Sequence, residues 1–156
     1  MIHQDIIEIA KSYVGIKEIP ENQGWDNKEF EQKMKQVGWQ KGQAWCAYLG
    51  ELIYKEAYAE LPDLLVTLNK LFSANSQQMF RNFAHSHDWE TGRYPKLGAI
   101  VVWKLGHTKG HTGIVTNFDD LVMYTVEGNA GNMVKERRRH YQEDNQILGY
   151  IYPKEV

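Results

Sequence analysis

The chain has 156 residues, 42% of them hydrophobic, and a formal net charge of −2. That length suits one domain with a single core, and the near-neutral charge excludes a general nucleic-acid binder, whose phosphate contacts need a basic surface. A single cysteine, Cys46, excludes an internal disulfide and with it the disulfide-stapled secreted class. In chain order, Ile2, Ile6, Ile9, Ala10 and Tyr13 recur at helical spacing, and Gly15 is a stop. Asp26 followed by Glu29 resembles a capping box opening a helix with Phe30, Met34 and Val37 on one side, ended by Gly38. A third helix is predicted from Trp45 to about Ala59 and a fourth from about Asn75 to Ala84.

After Pro95 the pattern changes to short β-branched runs between glycines. Strands are predicted at Ala99–Trp103, Gly113–Thr116, Val122–Val126, Val134 to about His140, and Leu148–Tyr152. Helices first and strands after define an α+β fold, with N-terminal helices packed on an antiparallel sheet of about five strands. No repeat or linker divides residues 1–156, which read as one domain. Met1 to Glu8 has no basic leader and no unbroken apolar stretch, so no signal peptide is expected. No segment nears the roughly 20 apolar residues of a membrane span. The basic run Lys135-Glu136-Arg137-Arg138-Arg139 reads as charge that keeps an edge strand solvated.

Cys46 follows the loop-like Gly42-Gln43-Ala44 and precedes a helical run, which puts it at a helix N-terminus. A lone cysteine is ordinarily a small buried hydrophobe. At a helix start, however, unpaired N–H groups and the helix dipole favour the thiolate, the reactive form. A thiolate nucleophile needs a base that later protonates the leaving amine. His111 opens a predicted strand between Gly110 and Gly113, held firmly but able to reach a cleft. The base needs a third group to fix its tautomer. Glu127 and Asn129 end the strand expected to pair with that of His111. A zinc site from His107 and His111 with His85 and His87 is disfavoured, because the glycine-rich local sequence does not make a helical histidine pair.

Ala44-Trp45-Cys46-Ala47, Pro95-Lys96-Leu97-Gly98-Ala99-Ile100-Val101, Gly110-His111-Thr112-Gly113-Ile114-Val115 and Val126-Glu127-Gly128-Asn129, in that order, resemble the CHAP domain. These are the cysteine, histidine-dependent amidohydrolases/peptidases of the papain-like cell-wall hydrolases. Ala10 to Glu18 is similar to the helix and Gly-x-x-Glu that often open such domains, so the resemblance extends over nearly the whole chain. It implies a papain-like fold, Cys46 as nucleophile, His111 as general base, and Glu127 or Asn129 as the group orienting it. It implies that Gln43 and the Cys46 backbone N–H donate to the oxyanion, while Trp45 and Trp103 are candidates to line a substrate groove.

The implied substrate is peptidoglycan, cut at an amide of the stem peptide, the cross-bridge or the sugar–peptide junction, by a monomer without a cofactor. Without a signal peptide, it is expected to be made in the cytoplasm and to reach the wall by holin-type release or specialised secretion. The sequence departs from the family at Gly98-Ala99, where Gly-Asp is frequent. No acid lies in Gly38 to Gln43, so no calcium is expected there. The rival readings are a wall-binding module that kept the fold without the chemistry, and a cytoplasmic cysteine peptidase or acyltransferase.

Overall fold

A computed structural model describes all residues, Met1 to Val156. Five helices come first: α1 (Ile2–Ser12), α2 (Lys28–Gln36), α3 (Cys46–Ala57), α4 (Pro62–Leu71) and α5 (Ser76–Ala84). Six strands follow: β1 (Thr91–Gly92), β2 (Ile100–Lys104), β3 (Gly110–Phe118), β4 (Met123–Glu127), β5 (Lys135–Arg139) and β6 (Ile147–Ile151), with a 3₁₀ turn at Tyr141–Glu143. All strand pairs are antiparallel, in the spatial order β1-β6-β2-β3-β4-β5. The fold is α+β. No helix is long and apolar enough to cross a membrane.

The helices form where apolar spacing and caps coincide. Ile2, Ile6 and Ala10 form the buried stripe of α1. In α2 the cap is Asn27 rather than Asp26, its side chain accepting from Phe30 N at 3.0 Å. Asn75 caps α5 in the same way, accepting from Gln78 N at 2.9 Å. Two elements go beyond the sequence expectation. Helix α4 begins with Pro62 at its first turn, where a missing N–H costs nothing. Leu64, Leu65, Leu68 and Leu71 recur at helical spacing along it and pack on the core, Leu68 alone being fully buried. Strand β1 is two residues long, too short for any pattern, and makes the sheet six-stranded.

Alternation along each strand gives the sheet two apolar faces. Ile100, Val102, Ile114, Val126 and Ile151 join the main core under the helices. Val101, Trp103, Val115, Met123 and Tyr150 form a second, smaller cluster on the other face. Helix α3 is the centre of the main core, with every residue from Cys46 to Tyr54 buried. Two glycines let the sheet approach its neighbours closely. A Cβ at Gly128 would lie 2.7 Å from the Trp45 ring and 3.0 Å from Leu49 Cδ2, so the end of β4 rests directly on the start of α3. A Cβ at Gly113 would lie 2.9 Å from Glu127 Cγ, leaving room for that acid to reach across from β4.

Candidate active site

The start of α3 is anchored by the residue before the cysteine. The Trp45 indole is fully buried, 5.1 Å from the Trp25 ring and 6.4 Å from Phe30, and its Nε1 donates to the Glu18 carboxylate. Trp45 is also the N-cap of α3 and supplies no side-chain cap. The first intrahelical acceptor is Trp45 O, bonded by Leu49 N at 2.9 Å, so the N–H groups of Cys46, Ala47 and Tyr48 have no helical partner. These free donors lie at the positive end of the helix dipole, where Cys46 opens the helix.

Cys46 is a free cysteine, 9% exposed. Its Sγ lies 3.8 Å from Ser76 Oγ, which is 2.7 Å from Thr112 Oγ1. The His111 ring and the Thr112 backbone N–H act on the sulfur from the side of the sheet. Burial pushes the thiol up, but the bond and positive charge of His111, with the bonds from Ser76 and Thr112, override it and hold the thiol below its ordinary value. Burial alone would lower the imidazole. Its bonds and attraction to Cys46 and Glu127 instead raise it to about 9. The two shifts run in the direction that favours a thiolate facing an imidazolium.

His111 sits at the start of β3, opposite Trp103 of β2 in the register. Its Nε2 is 2.8 Å from Glu127 Oε1, which leaves Nδ1 as the ring nitrogen not engaged by the acid. Glu127 is fully buried. Burial would raise its carboxyl, but hydrogen bonds from His111, Arg139 and Thr125 hold it down at about 2. It is ionised throughout the useful pH range and placed to orient the ring.

Of the two candidates for that role, Glu127 touches His111, while Asn129 makes no side-chain hydrogen bond and sits in a left-handed turn at φ 58°. Gln43 lies ahead of α3, its Oε1 accepting from Gln40 N at 2.9 Å and Tyr48 Oη at 3.1 Å. With its oxygen so held, its amino group is the open end. Trp45 and Trp103 do not line a groove. Trp45 is core, and Trp103 is 2% exposed in the outer cluster, 5.5 Å from His111 and tilted by 31°, with Nε1 donating to Asp144 at 2.8 Å. Large apolar rings beside a reactive group read equally well as lining or as support, and here they support it.

The sequence carries no signal for Ser76, an ordinary first-turn serine behind an Asn cap, or for Thr112, an inward strand residue. It also gave a different meaning to the basic run. β5 is indeed an edge strand, but Arg139 turns inward. Its Nε and Nη2 donate to Glu127 Oε2 and Oε1 at 2.9 and 2.6 Å, and Arg137 Nε lies 3.8 Å from Oε1. Alternation along the strand puts residues 137 and 139 on one face, a cue visible only once the neighbour of Glu127 is known. No group of three or more His, Cys, Asp and Glu side chains is arranged to hold a metal ion.

A buried thiol at a helix start, a strand histidine and an acid behind it define a cysteine–histidine site on a papain-like fold. The sequence profile of the CHAP domain matches residues 34–129, from the end of α2 through Asn129, and the chain belongs to that family. The matched stretch holds Cys46, His111, Glu127 and Asn129 but not the opening Ala10–Glu18 segment, nor β5 and β6. Family membership places the chain among peptidoglycan-related amidases and peptidases that depend on cysteine and histidine. No curated protein and no solved structure gives a significant match.

Proposed function

We propose that this protein is a peptidoglycan hydrolase that cuts an amide bond by thiol catalysis, with Cys46 as nucleophile, His111 as acid–base and Glu127 as its orienting partner. One observation carries the reading: the Cys46–His111–Glu127 chain, with the thiol held down and the imidazole held up. A wall-binding module would have no use for this ion pair, which needs a buried acid and costs desolvation.

The sulfur attacks the amide carbonyl carbon, and the negative charge moves to the carbonyl oxygen. The free N–H of Cys46 and the Gln43 amino group are the donors available to that oxygen. His111 gives its Nδ1 proton to the leaving amine as the C–N bond breaks, which leaves a thioester on Cys46. Water, deprotonated by the now neutral His111, adds to the thioester. The acid product leaves and the thiolate–imidazolium pair is restored. The larger clefts of the surface hold none of these side chains, which suits an extended polymer lying across the site better than an enclosed small molecule.

The test is digestion of purified peptidoglycan, with mass spectrometry of the released muropeptides. Native protein is expected to yield fragments with one new amine and one new carboxyl end, and their identity names the bond as a stem, cross-bridge or sugar–peptide amide. Cys46→Ala, which removes little volume, is expected to fold and to release none. Wall clearance by Cys46→Ala, or no product from native protein, would overturn the proposal.

A further inference from the structure

Glu127 has more partners than the orientation of one imidazole requires. Beside His111 it accepts from Thr125 Oγ1 at 2.6 Å and from the two-pronged Arg139 guanidinium, with Arg137 close by. The Arg139 guanidinium also lies over the Trp103 ring at 4.6 Å, and that ring is the one stacked beside His111. One side chain therefore braces both neighbours of the imidazole, the carboxylate at its edge and the indole at its face. Arg139 lies beyond the stretch that matches the family profile.

We propose that Arg139 is a positioning residue of this site, whose fork fixes the Glu127 carboxylate and whose charge offsets it, so that His111 is oriented without being held too strongly as imidazolium. The inference rests on the Cys46–His111–Glu127 reading. A buried carboxylate with no other cation would pull the imidazole further up and make it a poorer proton donor to the leaving amine. The charge balance around the ring is local. Cys46 faces it from α3, Glu127 and the hydroxyl of Thr125 from β4, Arg137 and Arg139 from β5, and Asp144 approaches Arg139 and Trp103 from beyond the 3₁₀ turn. Bidentate geometry is the property of arginine that lysine lacks, whereas the charge is common to both.

The experiment is the rate of Cys46 carboxymethylation by iodoacetate against pH, in the full-length native protein, Arg139→Gln and Arg139→Lys, with thermal melting of each. The anionic reagent is favoured by the imidazolium, so the basic limb reports loss of the His111 proton. Arg139→Gln is expected to move that limb upward by about half to one pH unit, Arg137 compensating in part. Arg139→Lys is expected to return the limb to within a few tenths of native while leaving the maximal rate of wall hydrolysis several-fold low, since charge without the fork does not fix the carboxylate. A merely structural arginine would lower melting temperature and leave the limb in place, and that result in both variants overturns the inference alone. Native protein whose thiol shows no enhanced reactivity below its ordinary range overturns the functional reading, and this inference with it.

Discussion

At the scale of single residues, the site is a line of charges whose order sets the chemistry. The His111 imidazole lies between Cys46 and the Glu127 carboxylate, and both raise it. Glu127→Gln keeps the shape and a hydrogen-bonding oxygen but removes one anion. The basic limb of the pH–rate profile is therefore expected to move downward from about 9, opposite in direction to Arg139→Gln, and turnover to fall by about 10²- to 10⁴-fold. The same change leaves Arg139 without its carboxylate. Its side chain is 30% exposed and water takes up part of that loss, so the stability cost is expected to be about 1–3 kcal/mol by denaturant titration. A basic limb that stays in place in Glu127→Gln would mean that this carboxylate does not set the imidazole. Cys46, His111 and Glu127 were legible in the sequence because each sits beside punctuation, a loop-to-helix change or a glycine. Arg139 was not, because its meaning depends on a partner 12 residues away across a strand pair.

At the scale of elements, the start of α3 and the end of β4 form one joint. Trp45 fills the core beneath Cys46, and Gly128 lies flat on Trp45 because it has no side chain. Gly128→Ala would push a methyl group to within 3 Å of the indole and of Leu49. The surrounding aromatic core is close-packed and yields little, so a loss of about 1–3 kcal/mol is expected. Activity is expected to fall further than stability, since the joint sets the spacing between Cys46 and Glu127. Comparing chemical denaturation with wall hydrolysis at a temperature where both proteins remain folded checks this, and an alanine variant with native turnover would contradict it. Among elements, the strands of β-branched residues between glycines were readable, as were helices with a clear apolar stripe. The two-residue β1 carries too little periodicity to register, whereas helix α4 has a stripe at helical spacing in Leu64, Leu65, Leu68 and Leu71 and was legible in principle. The cap of α2 slipped by one residue because Asp26 and Asn27 are both good caps and only the backbone decides between them.

At the scale of the whole molecule, the fold joins a helical half, which holds Cys46 at a helix end, to a sheet that holds His111 and Glu127. Order along the chain was enough to read this division, since helices precede strands with one change of pattern near Pro95. What holds the two halves in register is the glycine contact at position 128 together with the Thr112 and Ser76 groups near the sulfur; the glycine is visible in the sequence, but the contact it makes is not. The account depends on that junction creating a thiolate–imidazolium pair. The most direct measurement is a pH titration of thiolate absorbance in native protein and in His111→Ala, each read against Cys46→Ala as blank. The thiolate is predicted to be present in native protein at neutral pH. In His111→Ala it is predicted to appear only above the ordinary thiol range, because burial then acts on Cys46 without its counter-charge. A native signal that rises only near the ordinary value of about 8.5, or identical curves for the two proteins, would contradict the account.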